Sequence, residues 1–233
     1  MSPTFNNLEL PDPVAQVPKF IEYLVGWEFV AVCADDGGLP PAILQGVEKV
    51  VVLSAPGEGS ALESRLRIRV ADKLMGDLMA GGVNTDVPKL ILNGETEQLP
   101  GMYDAALECV IGSERSCWEC NDCGPRGVGN TKTQFTTMVS GGILEGISRI
   151  IVVTSWYHVP RVARTASRYL PPELNFQVVG VPSLHLHPHI KERLLMIAGE
   201  IRRILQYAPG DIDFYPRSLL AIPGLTELLA ERR

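Results

Sequence analysis

Uninterrupted apolar runs of bilayer-spanning length are missing from this chain. The longest candidates are broken by Gly, Pro or charge within about ten residues, so no stable membrane insertion is expected. The amino terminus, MSPTFNNLELPDP, has no basic segment followed by an apolar run and a small-residue cleavage site, so no secretory signal is expected there. Positive charge is in deficit. Lys and Arg number 21 against 27 Asp and Glu, a formal net charge of −6. That balance excludes a general nucleic-acid or acidic-membrane binder, which needs a basic face to displace counterions. Cysteines number five, an odd count that cannot close into a complete set of internal disulfides and points to a reducing cytoplasm. No internal repeat or low-complexity tract is present.

What the chain does contain is an alternation of short β-branched runs and longer amphipathic stretches, in 233 residues of which 45% are hydrophobic. This is the pattern of a mainly parallel sheet covered by helices, a Rossmann-like three-layer α/β/α fold. A single domain over residues 1–233 is expected, with a core at 47–208 and helical or irregular extensions at 1–46 and 209–233. Strands are expected at Val50–Leu53, Lys89–Leu92, Ile150–Val153 and Phe176–Val179, the first of them apolar at every position, as a strand buried on both faces must be. Helices are expected at about Leu62–Ala80, Tyr103–Val110, Thr131–Leu144, Pro160–Tyr169 and Glu192–Tyr207, and a short terminal one at Leu219–Leu229. Phe20–Leu24 reads as helical, Phe29–Cys33 as either strand or helix end, and Gly112–Gly129 as an irregular loop bearing cysteines.

In an open parallel sheet, ligands bind outside the carboxyl ends of the strands, where following helices point their amino termini. Four segments should meet on that edge: Ser54–Glu58, Asn93–Glu95, Thr154–Arg161 and Val181–His189. The richest is Thr154-Ser155-x-x-His158-x-x-Arg161. Ser155 could cap the following helix through its hydroxyl, and Thr154 could bind an oxygen of a ligand. His158 is a proton carrier near neutral pH, and Arg161 a bidentate partner for phosphate or carboxylate. The plain alternative makes these a cap, a satisfied histidine and a solvated charge.

The stretches VVVLSAPGEGSALESRLRIRVADKL, KLILNGE, GNTKTQF and RIIVVTSWYHVPRVARTASRYL together resemble the YdcF/SanA/ElyC-like family, a domain of unknown function. The resemblance runs from about Val47 to Pro182, and Ser155, His158, Arg161 and Thr131 match the family's motifs directly. Ser54 stands where the family usually has glycine, Asn93-Gly94-Glu95 replaces Ser-Gly-Gly, Gln134 replaces asparagine, and Val162 replaces alanine. The resemblance implies a Rossmann-like fold with a pocket for a nucleotide-like molecule, S-adenosylmethionine being proposed for one branch. With the strand-end argument, it makes Ser54, Arg65, Asn93, Gly94, Asn130, Thr131, Gln134, Thr154 and Arg161 the expected ligand contacts.

Arg65 and Arg69 are four residues apart and share a helix face, while Arg67 is expected to point elsewhere. Arg65, nearest the strand end, is either an anion clamp or a surface charge paired with Glu63 or Asp72. Gly127-Val128-Gly129-Asn130-Thr131 opens a helix and can bring backbone N–H groups to a phosphate. It is neither a dinucleotide fingerprint nor a P-loop. A catalytic set would combine His158, Ser155 one helical turn away, and Glu95 as the orienting group. Cys117, Cys120 and Cys123 supply three thiols of a possible zinc site, with Cys109 or a histidine as the fourth ligand. His185, His187 and His189 could form a second metal bed. Three readings follow: a small-molecule-binding protein acting as an enzyme on a nucleotide-type or phosphorylated compound, a non-catalytic ligand sensor or interaction protein, and a metalloprotein using the cysteine segment.

Overall fold

The computed structural model describes residues 30–31, 41–55, 60–80, 88–109, 118–126, 130–181 and Glu200. Residues 29–186 form one compact unit and residues 1–28 with 187–233 another. Every described residue except Glu200 belongs to the first. The expected helices at 20–24, 192–207 and 219–229 lie outside the described residues, Glu200 apart, which is helical and buried.

Six parallel strands make the sheet: β1 (Val30–Ala31), β2 (Lys49–Leu53), β3 (Lys89–Gly94), β4 (Trp118–Asp122), β5 (Arg149–Ser155) and β6 (Asn175–Val181), in the order β1-β6-β5-β2-β3-β4. Among the described residues five helices connect them: α1 (Pro41–Leu44), α2 (Ser60–Ala80), α3 (Leu99–Cys109), α4 (Thr131–Ser140) and α5 (Val159–Tyr169). The chain steps outward from β2 through β3 to β4, returns to β5 on the other side of β2, and continues to β6. Right-handed crossovers in opposite directions put the helices on opposite faces. Thus α2 and α3 cover one face, and α4 and α5 the other.

Strand alternation sorts the side chains between these layers. Val50, Val52, Leu90, Leu92, Ile151, Val153, Val179 and Val181 pack with Ile68, Leu74, Met75 and Ala105 beneath α2 and α3. The intervening residues Val51, Leu53, Ile91, Asn93, Ile150, Val152 and Thr154 face α4 and α5, whose Phe135, Met138, Val162 and Ala166 are buried. Among the described residues, no helix is long and apolar enough to cross a membrane.

Two expectations need correction. Residues 118–122 are not part of a loop; they form the edge strand β4, paired with β3 from Leu90↔Trp118 to Gly94↔Asp122. Backbone pairing with β3 and the edge-to-face packing of Trp118 on Tyr103 (centroids 5.6 Å apart) hold a segment with little apolar pattern of its own. Helix α4 ends at Ser140, not Leu144. Gly141 is its C-cap and Gly142 takes a φ of +70°, the left-handed region glycine tolerates, which turns the chain out of the helix.

Candidate functional site

The strand order reverses between β2 and β5, so this is the switch point where the carboxyl ends open a crevice. On the α2 side the crevice is filled. Glu63 and Arg67 are one turn apart on α2 and are buried beneath it. Arg67 Nη1 donates to the carbonyls of Leu53 and Ser54 at 2.9 Å each. Its Nε and Nη2 donate to Ser155 Oγ at 3.0 and 2.8 Å, and Nη2 also reaches Glu63 Oε1 at 3.4 Å. A guanidinium has five N–H donors, and these five bonds use them all. Arg67 therefore staples the ends of β2 and β5 and has no donor left for a ligand.

The two neighbouring arginines have different places, as their helical spacing predicts. Arg65 lies on the flank of α2, bound to Glu108 of α3 at 2.9 Å, whereas Arg67 reaches the strand ends. The cause is helical phase: Arg67 sits four residues before Ala71 and seven before Leu74, on the buried stripe itself. Ser155 is likewise committed. Its hydroxyl donates to Glu63 Oε1 and accepts from Arg67, and it makes no side-chain cap to the 3₁₀ turn Trp156–His158 that follows. Tyr157 from that turn donates its hydroxyl to the same Glu63 oxygen at 2.8 Å. Sequence reading missed Glu63, Arg67 and Tyr157 as a group, because nothing in their spacing ties residues nearly a hundred positions apart.

The α4–α5 side is built differently. Asn130 caps α4: its Oδ1 accepts from the Thr133 amide at 3.0 Å, and its own amide donates to Thr133 Oγ1 at 2.6 Å. This reciprocal box fixes the first helical turn and engages the Asn130 side chain. The next residue, Thr131, is buried, and two expected site residues meet on its hydroxyl. Arg161 Nη1 donates to Thr131 Oγ1 at 2.9 Å, and His158 Nε2 lies 3.4 Å from the same oxygen. Thr154 faces this side of the sheet. It is fully buried, and among the described residues its hydroxyl has no hydrogen-bond partner.

A buried amide network joins α4 to the strand ends. Asn93 Nδ2 donates to the Gln134 carbonyl at 3.2 Å, and Gln134 Nε2 donates to Ser54 Oγ at 3.1 Å and to the Asn93 carbonyl at 3.3 Å. Asn121, absent from the sequence-based set, donates to Asn93 Oδ1 at 2.9 Å, to the Gln134 carbonyl and to Thr137 Oγ1. Ser54, Asn93 and Gln134 thus bind one another and hold the amino end of α4 at the rim. Gly94 belongs to the same junction, since a Cβ there would stand 3.0 Å from Ser54 Cβ and 3.2 Å from Met102 Sδ. Glu95 follows β3, where its amide donates to Gln98 Oε1.

Cys120 is exposed on β4 and Cys123 is buried just after it; neither is in a disulfide. Partial desolvation raises the Cys120 thiol above its ordinary value. Burial, with the nearby carboxylates Glu95 and Asp122, pushes the Cys123 thiol up to about 11. Among the described residues no group of three His, Cys, Asp or Glu side chains could hold a metal ion. Cys117, His185, His187, His189 and Gly127–Gly129 lie outside the described residues.

Comparisons of the chain with known protein families, with curated proteins and with solved structures found no match.

Proposed function

We propose that this chain binds a nucleotide-type or phosphorylated small molecule at the strand-end rim between α4 and α5, as expected of a YdcF-like protein. The observation that carries this reading is the convergence of His158 and Arg161 on Thr131 at the amino terminus of α4. A helix amino terminus favours an anion through its unbonded N–H groups and the helix dipole. Arg161 adds a planar cation suited to phosphate oxygens. The partnerless Thr154 hydroxyl on the same face supplies a further polar group for a ligand oxygen. His158 would carry a proton to or from the bound molecule. S-adenosylmethionine is the second ligand class to try.

The commitment of Ser155 to Glu63 and Arg67 favours a protein that binds without a serine nucleophile, and so also supports the sensor reading. Calorimetric titration with inorganic phosphate, AMP and S-adenosylmethionine tests the proposal. Saturable binding that weakens at least about tenfold in Arg161→Ala is expected, the loss of one charge-assisted contact. Absence of binding by all three, or equal binding by the variant, overturns it. Turnover of a bound phosphate ester that disappears in His158→Ala separates the enzyme from the sensor.

A further inference from the structure

We propose that Glu63, Arg67 and Tyr157 are positioning residues for the His158–Thr131–Arg161 cluster, a role that rests on the ligand site proposed above. His158 closes a single 3₁₀ turn, Trp156–His158, whose N-cap Ser155 makes no side-chain cap bond. The turn is instead held from the other side of the sheet. Glu63 Oε1 on α2 accepts from both Ser155 and Tyr157, the residues that begin and line the turn. Arg67 fixes Ser155 in turn and ties it to the β2 carbonyls of Leu53 and Ser54. The residue after Tyr157 is His158, whose Nε2 meets Thr131. Hydrogen bonds on either side of the Tyr157–His158 peptide therefore connect α2, across the end of β5, to the amino terminus of α4. With all five guanidinium donors used, Arg67 acts through Ser155 and not on a ligand. Such networks, once complete, hold one geometry, because any broken member leaves a buried polar group unpaired.

The test reads the His158 ring itself, by nitrogen-15 NMR of the full chain. The chain has four histidines, so the His158 signals are assigned by their loss in His158→Gln. Thr131→Val supplies the signature of a His158 ring deprived of its threonine partner. Two variants probe the positioning line. Tyr157→Phe keeps the ring and removes only the hydroxyl. Arg67→Lys keeps the charge but cannot span the same partners, and every hydrogen bond of Arg67 goes to residues other than His158. In both, the His158 ring signals are expected to move from their parental positions toward those of Thr131→Val. Parental ring signals in folded Tyr157→Phe overturn the proposal, and that variant alone decides if Arg67→Lys does not fold. Phosphate affinity, measured separately, is expected to fall about fivefold in Tyr157→Phe, as the displaced His158 weakens one contact to the anion. Failure of the parent protein to bind phosphate or AMP would count against the ligand site, while the ring signals would still decide the positioning role.

Discussion

Arg67 shows how much one side chain can settle at the residue scale. It is wholly buried with Glu63, and removing one member of such a pair leaves the other charge without compensation. Arg67→Met should lower unfolding free energy by about 3–5 kcal/mol, read by urea denaturation. Adding Glu63→Leu should cost less than the two single losses summed, because the second change removes the stranded charge. Gly94→Ala should cost about 1–3 kcal/mol, since its Cβ would press on Ser54 Cβ and Met102 Sδ. Cys123 should resist iodoacetamide in the native protein at pH 8.5, below its raised pKa of about 11, where the thiol stays protonated. Peptide mass mapping would check this, and rapid native labelling of Cys123 would contradict it.

At the scale of elements, strands with an apolar, β-branched centre were legible from sequence, and β2, β3, β5 and β6 lie where that pattern puts them. The edge strand β4 was not, because Trp-Glu-Cys-Asn-Asp is held by pairing on one side and not by its own apolar pattern. Its other anchor is ionic. Glu119 accepts from Lys49 and Lys89, and Lys49 also reaches the Ile143 carbonyl. Burial opposes ionisation of Glu119, but the hydrogen bonds and charges of the two lysines outweigh it and hold the carboxyl below its ordinary range. A lowered folded-state pKa gives stability that is full above the unfolded value of 4.5 and is lost as pH falls through the folded one. Glu119→Gln should therefore be less stable than the parent at pH 7, and the difference should shrink under acid. A constant difference across that range, by urea denaturation, would contradict the assignment. In helix α2 the extent was legible, and so was the separation of Arg67 from the face shared by Arg65 and Arg69, but not that Arg67 would be buried against the strand ends.

At the scale of the whole molecule, alternating strands and helices were enough to anticipate a parallel sheet with helices on both faces, and hence which ends of the strands would gather. Partnerships across the sheet were not legible, because Gln134 with Ser54 or Tyr157 with Glu63 depends on register that no local pattern encodes. The resulting rim is asymmetric: stapled shut by Arg67 beneath α2, polar and incompletely satisfied beneath α4 and α5. A ligand on this account belongs on the second side. The most direct measurement follows backbone amide signals of the nitrogen-15-labelled protein during addition of inorganic phosphate and then AMP. Saturable shifts centred on Thr131, Thr154 and Arg161, lost in Arg161→Ala, are the predicted result. Shifts centred on Arg65 and Glu108, or no saturable shift with either anion, would contradict the account.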